Sequence, residues 1–174
     1  MKKFELTTEF ITNALGKKLF RIKALVEFGS VKAGELGGYA EKEENISQDG
    51  NAWVSGDARV YGNAWVSGDA RVSGDARVSG NAWVSGDAWV SGNAEVSGDA
   101  DYACVKGFGT VFRNTTFYRG KNKKIMVNCG CFRGDLEGFR KQVKKTRSGK
   151  IAKEYLMIAD LMEYHFTSED SGNE

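Results

Sequence analysis

Basic side chains are concentrated between Ala103 and Lys153 of this 174-residue chain. This stretch has fourteen lysines and arginines but only two acidic residues, although the formal net charge of the whole chain is only +2. Phe117 and Tyr118 place aromatic rings among these cations. Cations with rings that can stack on bases are typical of surfaces that bind a phosphate-rich partner. An acidic protein surface is the alternative partner. The cations could also be no more than the solvated face of an amphipathic helix, with no partner at all. The candidate anion-binding or nucleic-acid-binding residues are Arg113, Phe117, Tyr118, Arg119, Lys123, Lys124, Arg140, Lys141, Lys144, Lys145 and Arg147.

Few residues could support nucleophilic or metal chemistry: Cys104, Cys129, Cys131 and His165. Cys129 and Cys131 are separated by one residue, whereas zinc ligands are usually separated by two or more. No histidine lies near a cysteine in the sequence, as an activated thiol would favour. We therefore expect no metal, cofactor or catalytic residue. The odd number of cysteines, together with the lack of a signal peptide or a membrane-spanning run, predicts a cytoplasmic protein.

Eight consecutive hexads fill residues 51–98, each with Asp or Asn, Ala, a variable residue, Val, Ser or Tyr, and Gly. Ala and Val lie two positions apart, as in Ala58 and Val60, so both point to one face of a short strand. The following Ser-Gly-Asp or Ser-Gly-Asn supplies a turn, because Gly tolerates positive φ. Such a strand buries its face only when successive coils stack, so the repeat predicts a solenoid with an Ala/Val core.

The hexads resemble those of the hexapeptide-repeat proteins, whose fold is a left-handed parallel β-helix with three hexads in each triangular coil. Residues 24–39, ALVEFGSVKAGELGGY, resemble the segment that precedes the repeats in bacterial and phage members described as acyltransferases. The resemblance implies acyl transfer with a histidine base in a cleft between subunits, closed by an extended loop. The only histidine here, His165, follows the repeats, and no loop interrupts them. Since a fold does not by itself confer a function, we favour a non-catalytic protein.

Three hexads per coil would stack residues eighteen apart into three outward columns. The columns are Trp53, Arg71 and Trp89; Trp65, Trp83 and Asp101; and Arg59, Arg77 and Glu95. The first column could form a ladder of cation–π contacts. Contiguous exposed tryptophans are typical of interfaces, so we expect a homo-oligomer, and the resemblance favours a trimer. The predicted interface residues are Trp53, Arg71, Trp89, Trp65, Trp83, Arg59 and Arg77.

We expect a mainly β chain in three segments. An N-terminal β cap covers residues 1–38, with a hairpin that turns at Gly16. The β-helix covers residues 39–102, and its first coil places Ala40 eighteen positions before Ala58. A small α+β module covers residues 103–174. Its ββαα layout has strands at 115–119 and 124–127, and helices at 136–146, after an Asp135 N-cap, and 151–166.

The C-terminal layout resembles a small module of phage and prophage proteins. Together these features favour a non-catalytic, oligomeric binding protein that is encoded by a phage or prophage. We expect it to act in the host cytoplasm and not to associate with a membrane. Its partner would be a host protein, a nucleotide or a nucleic acid, and binding could inhibit a host defence. The alternatives are an acyltransferase-like enzyme and a structural or assembly protein.

Overall fold

The hexads form a parallel β-solenoid of about three turns in the computed structural model, which describes residues 1–167. Each hexad contributes one two-residue strand. These strands are β4 (Trp53–Val54), β5 (Arg59–Val60), β6 (Trp65–Val66), β7 (Arg71–Val72), β8 (Arg77–Val78), β9 (Trp83–Val84), β10 (Trp89–Val90) and β11 (Glu95–Val96). Each strand pairs in parallel with the strand eighteen residues away, as β4 does with β7 and β7 with β10. The predicted β-helix fold class is confirmed.

The repeat explains this fold directly. Every Ala and Val of the hexads is at most 1% exposed, so one narrow aliphatic core runs through the coils. Small side chains suffice because the coil interior is narrow. The corner glycines from Gly56 to Gly92 have φ between 62° and 71°, a left-handed conformation that only Gly adopts without strain.

The N-terminal segment, residues 1–40, closes one end of the solenoid with an antiparallel sheet. Strand β1 (Phe4–Thr12) pairs with β2 (Lys18–Ala24), and β2 pairs with β3 (Leu36–Ala40). The predicted hairpin is confirmed, with Gly16 in its turn at φ 76°. Strand β3 then pairs in parallel with β5, which joins the cap to the solenoid in one sheet of order β1-β2-β3-β5-β8-β11.

The first coil differs from the prediction by two residues. Ala40 pairs with Val60 rather than lying beside Ala58, because Gln48 and Asp49 are additional to the repeat. Before them, the Ser47 amide donates to a carbonyl nineteen residues later; after them, the spacing is seventeen. The Gln48 amide is used by the cap: its Oε1 accepts from the Lys3 N–H at 2.8 Å, and its Nε2 donates to the Phe4 carbonyl at 3.2 Å.

The C-terminal segment is a four-stranded antiparallel sheet with two helices. Its strands are β12 (Tyr102–Val105), β13 (Thr115–Arg119), β14 (Ile125–Cys129) and β15 (Phe132–Asp135), and its helices are α1 (Leu136–Thr146) and α2 (Gly149–Thr167). The two predicted strands, both helices and the Asp135 N-cap are confirmed, but the ββαα layout misses β12 and β15. Residues 168–174 lie outside the described part. Among residues 1–167, no helix has the length and apolarity needed to cross a membrane.

The C-terminal sheet packs on the last coil of the solenoid. Tyr118 belongs to the solenoid core and is 2% exposed. The Asn128 amide donates to the Trp89 carbonyl at 2.7 Å, and the Lys121 N–H donates to the Asn93 carbonyl at 2.9 Å. These bonds satisfy backbone groups of an edge that would otherwise be open to another strand. Both ends of the solenoid are therefore covered.

Candidate binding surfaces

The tryptophans of the first outward column, Trp53 and Trp89, pack against other parts of the same chain. Trp53 is only 5% exposed, and its ring makes edge contacts with Phe4 and Phe28 of the cap, at centroid distances of 6.4 and 5.4 Å. Trp89 lies beneath the Arg133 guanidinium, which is 4.0 Å from the ring centroid. The prediction that Trp53 is exposed is therefore wrong, because the cap covers it, whereas Trp89 is half-buried and its place in an interface stays a prediction.

The predicted cation–π ladder through Arg71 is also absent from residues 1–167. Arg71 is paired in register with both Trp53 and Trp89, but its Nη1 turns away to donate to Ser30 Oγ at 3.0 Å. Trp89 takes its cation from Arg133 instead. Arg71 is exposed and holds the loop before β3 against the solenoid.

The second column is the exposed aromatic surface of the solenoid. Trp65 and Trp83 stack with centroids 5.1 Å apart and remain 39% and 50% exposed. Trp83 is held by its indole N–H, which donates to Ser67 Oγ at 3.0 Å, and the Tyr102 hydroxyl donates to its carbonyl at 2.6 Å. We call Trp65, Trp83 and Tyr102 the tryptophan face.

The hexad spacing predicts that Asp101 continues this column, but it does not. The repeat ends at Gly98, whose φ is −152°, and residues 99–101 form a short 3-10 turn. Asp99 lies beside the column instead, where its carboxylate accepts from the backbone N–H of Trp83 at 2.8 Å. Asp101 instead pairs with Arg119 at 2.9 Å.

The third column carries charge of both signs. Arg59 stands beside Tyr39 of the cap on one side and Arg77 on the other. Arg77 forms an ion pair with Glu95 at 3.5 Å, and the two side chains are 44% and 43% exposed. An exposed pair of this kind contributes little to stability, and this column shows no exposed apolar ring.

Four of the predicted anion-binding residues have structural roles. Phe117 is fully buried against Phe139 and Tyr118 is buried on the solenoid, so neither ring can stack on a base. Burial also raises the pKa of Tyr118. Arg119 bonds Asp101 and the Phe166 carbonyl, which ties α2 to the last coil.

Arg140 joins the two helices and is the fourth of these residues. Its guanidinium contacts carboxylates of Glu137, Asp160 and Glu163, each at 2.8 Å. Those bonds, that of Glu163 first, raise its already high pKa. Only 14% of the side chain is exposed, so Arg140 is not free for a ligand, and its inclusion in the binding surface is wrong.

The remaining predicted cations are exposed. Lys141, Lys144 and Lys145 lie on α1 with Arg147 just after it, and none of them forms an ion pair within residues 1–167. We call these four residues the basic strip. Lys123 and Lys124 lie in the turn between β13 and β14, where only Lys124 has a carboxylate within reach, that of Asp135 at 3.9 Å.

Arg113 and Arg147 line one cavity of about 270 Å³, which we call the arginine cavity. The cavity lies between residues 106–114, the β14–β15 turn and the end of α1. The other residues of its lining are Thr110, Val111, Cys129, Cys131, Phe132, Phe139, Gln142, Val143, Thr146 and Tyr155. Phe132 and Phe139 add apolar rings to a lining that also holds the two cations. The sequence gives no signal for this meeting, because the two arginines lie far apart along the chain and share no motif.

The Tyr155 hydroxyl lies at the base of the arginine cavity. It donates to the Phe108 carbonyl at 3.3 Å. Its pKa is raised, first by burial and then by Cys129, while Arg147 and Arg113 act to lower it. Arg113, Arg147 and Tyr155 come from different elements and line the same cavity.

A second hollow is larger but less suited to an anion. The groove between the last coil and α2 measures about 1140 Å³ and is lined by residues of both signs, including Glu95, Asp101, Arg119, Lys121 and His165. Its carboxylates would repel a phosphate, and Asp101 already pairs with Arg119. His165 is exposed and packs on the Phe166 ring, 4.9 Å between centroids.

The cysteines do not assemble a metal site within residues 1–167, where no group of three His, Cys, Asp or Glu side chains could hold an ion. Cys129 accepts from Thr115 Oγ1 at 3.1 Å, and Cys131 is exposed in the turn beyond it. Cys104 lies apart from both, in a hollow beside Trp83.

Comparison with known proteins bears on the solenoid alone. The family model of the YdcK beta solenoid repeat matches residues 52–68 and 70–86, each match spanning almost one coil of three hexads. No curated protein matches the chain. The chain is thus similar to a β-solenoid repeat protein over two of its coils, and the match does not extend to the cap or to the C-terminal module.

Proposed function

We propose that this protein is a non-catalytic, oligomeric binding protein whose C-terminal module recognises the phosphate groups of a nucleotide or a nucleic acid. The observation that carries the proposal is the division of the cations in this module. Arg119, Arg133 and Arg140 are engaged by carboxylates, a backbone carbonyl or an aromatic ring. The basic strip and Arg113 are exposed and lack ion pairs within residues 1–167. Such cations are what a polyanion contacts.

The spacing of the basic strip adds support. Lys141 is three residues from Lys144 and four from Lys145, so all three charges lie close together on one helix surface. Like charges at these spacings destabilise a helix by about 0.2–0.5 kcal/mol per pair. The helix dipole favours Lys144 and Lys145 in the last turn, but Lys141 is farther from the helix end. A bound phosphate would relieve the repulsion among them.

The tryptophan face supports self-association. Of the four tryptophans, Trp53 is buried and Trp89 is half-buried, whereas Trp65 and Trp83 present a stacked pair to solvent. Exposed paired tryptophans are rare on monomers and common at the centre of interfaces. A homo-oligomer, with a trimer favoured, would carry several copies of the basic strip and increase its avidity for a polyanion.

The proposal includes a biological setting, which rests on the resemblances of residues 24–39 and of the C-terminal module. In this setting a phage or prophage encodes the protein, which acts in the host cytoplasm. There it binds a host nucleotide or nucleic acid, and so inhibits a host process that depends on that molecule.

Phosphate binding is tested by fluorescence anisotropy with a labelled single-stranded oligothymidylate, titrated at several salt concentrations. We expect K144Q/K145Q to weaken binding and to flatten the slope of log K against log salt by about 1.4, since each lost phosphate contact removes about 0.7. The charge-matched control is K32Q/K42Q, which changes two exposed lysines near the cap. Equal affinity and equal slope for both double variants would show that the basic strip is only a solvated helix face.

The acyltransferase-like alternative makes a different prediction. An enzyme of that class would release free thiol from acetyl-coenzyme A, with or without an acceptor. We expect no release above that of buffer, because His165 lies on α2, outside the solenoid. Thiol release that disappears in His165→Gln would contradict the non-catalytic proposal. Binding of the coenzyme alone would not, because its phosphates could occupy the same cations.

A further inference from the structure

We propose that the arginine cavity is a binding site for a mononucleotide, with the phosphate held between Arg113 and Arg147 and the base against Phe132. This inference rests on the proposed function, because it assigns one ligand class to part of the same basic module. It goes beyond that function in naming a cavity that shares only Arg147 with the basic strip.

The cavity offers two unlike kinds of group to one small ligand. The guanidinium groups of Arg113 and Arg147 and the rings of Phe132 and Phe139, 5.6 Å apart between centroids, all belong to its lining. Phe132 is half-buried, so part of its ring faces the cavity, while Phe139 is buried behind it. A phosphate needs the guanidinium groups and a flat base needs the rings. A nucleotide carries both groups on one compact molecule.

Arg113 and Arg147 have no carboxylate partner among the described residues. Arg147 makes one long bond, from Nη1 to the Thr146 carbonyl at 3.3 Å. Two uncompensated guanidinium groups beside one cavity repel each other until an anion lies between them. Arginine is also the side chain whose planar donors match phosphate oxygens two at a time.

Arg113 is held in place before any ligand arrives. Its guanidinium lies beside Gly130, which has φ 60°, and the backbone on both sides of Arg113 is anchored to other elements. The next residue, Asn114, donates to the Asp87 carbonyl at 2.8 Å and so anchors the segment to the solenoid. On the other side of Arg113, the Tyr155 hydroxyl donates to the Phe108 carbonyl at 3.3 Å, and a Cβ on Gly109 would collide with that hydroxyl. The segment is thus fixed at both sides of Arg113.

Phe112 is the strained residue of this segment. Its φ is 49°, a left-handed conformation that is unfavourable for a bulky side chain, yet the ring is 65% exposed and gains little from burial. Strain of this kind persists where the neighbours require it, and it is concentrated at binding sites. Here the conformation directs Arg113 to the cavity and Asn114 to the solenoid. The strained backbone therefore serves the placement of Arg113.

The size of the cavity restricts the ligand. At about 270 Å³ it is just below the usual range for small-molecule sites, about 300–1,000 Å³. One nucleotide unit suits such a space, whereas a dinucleotide or a large coenzyme would extend out of it. Gln142, Thr110 and Thr146 on the lining supply donors and acceptors for a base edge or a ribose.

Isothermal titration of the full chain with AMP, GMP, CMP and UMP tests the site, with adenosine and inorganic phosphate as partial ligands. We expect saturable binding of at least one mononucleotide at one site per chain, much weaker binding of phosphate and none of adenosine. Arg113→Met should weaken that binding at least about tenfold, the effect of losing one charged hydrogen-bonding partner. Its control is Lys153→Met, which removes an exposed cation that does not line the cavity.

Phe132→Leu provides a second test, because it keeps an apolar side chain but removes the ring. We expect mononucleotide affinity to fall while phosphate affinity stays unchanged. Thermal denaturation of each variant verifies that it is folded. Absence of saturable binding by every mononucleotide, or equal binding by Arg113→Met and the parent, would overturn the inference.

The two proposals fail in different ways. If the oligothymidylate binds and K144Q/K145Q weakens it, but no mononucleotide binds, the basic strip has its proposed role and the cavity does not. If K144Q/K145Q retains mononucleotide binding while Arg113→Met loses it, the cavity is an independent site. If neither probe binds, the proposed function itself is wrong.

Discussion

Lys3 is a buried cation whose titration should be visible in the stability of the whole protein. It is 4% exposed, and its Nζ donates to the carbonyls of Ala52 at 3.0 Å, Gly50 at 3.3 Å and Asp49 at 3.4 Å. It also lies 4.8 Å from the centroid of the Phe28 ring. Burial lowers its pKa from 10.5 to about 8, although Asp49 and Asp69 act to raise it.

The sign of the effect follows from proton binding. Between about pH 8 and pH 10.5 the unfolded chain keeps the Lys3 proton more often than the folded chain does, so the free energy of unfolding rises with pH. Below about pH 8 both states are protonated, and the full cost of burying the charge is present. A difference between about 8 and 10.5, at about 1.36 kcal/mol per pH unit, amounts to at most about 3 kcal/mol.

Urea denaturation of the parent and of Lys3→Met, at several pH values from neutrality to about pH 10, measures this effect. All other titrating groups are common to both proteins, so their contributions cancel in the difference between the two unfolding free energies. We expect the parent to gain about 2–3 kcal/mol relative to Lys3→Met as the pH rises through this range. A difference that stays constant with pH would refute the argument that burial of Lys3 lowers its pKa.

Two further pairs of substitutions test the packing of the solenoid and the helices. Gly74→Ala should cost about 1–3 kcal/mol in unfolding free energy, because Gly74 has φ 70° and a Cβ would lie 2.9 Å from the Gly92 nitrogen; Gly98→Ala, in an extended and open position, should change it by less than about 0.5 kcal/mol. Arg140→Met should cost about 1–2 kcal/mol, because three carboxylates lose their common partner, whereas Lys141→Met should be almost neutral. Chemical denaturation monitored by circular dichroism decides both pairs, and equal costs within a pair would contradict the assigned contacts.

The solenoid is readable from the sequence because each hexad repeats one local rule. Ala and Val point inwards and Gly turns the corner, so the same solution recurs eight times and fixes the eighteen-residue register. The rule fails where the repeat does. Gln48 and Asp49 shift the first coil by two residues, and Gly98 ends the pattern before Asp101 can join a column.

The fate of outward residues is harder to predict, because it depends on parts of the chain far away in sequence. Trp53 and Trp65 occupy the same position in hexads of identical sequence, NAWVSG. The cap nevertheless covers Trp53 and leaves Trp65 exposed. Strand β15 is four residues long and contains a Gly, so it lacks the alternation that marks a strand. Arg113 and Arg147 line the same cavity only because of the fold of residues 106–114, for which the sequence has no repeat or motif.

The predicted basic surface includes four residues that the structure uses for packing or ion pairs: Phe117, Tyr118, Arg119 and Arg140. Half-buried Arg119 and Arg140 resemble the exposed cations in the sequence. Glu137 is near Arg140 on the same helix, but the other carboxylate partners, Asp101, Asp160 and Glu163, belong to other elements of the chain. Phe117 reads as a ring among cations, but the alternation of β13 turns it into the core of the module.

Native mass spectrometry of the full chain, with and without a mixture of AMP, GMP, CMP and UMP, tests the central claim most directly, since it counts subunits and bound ligands in one spectrum. We expect an oligomer that gains one mononucleotide per subunit, and a monomer when Trp65 and Trp83 are both replaced by Ala. A parent protein that is monomeric and takes up none of the four, under conditions where it remains folded, would contradict both self-association through the tryptophan face and nucleotide binding in the arginine cavity.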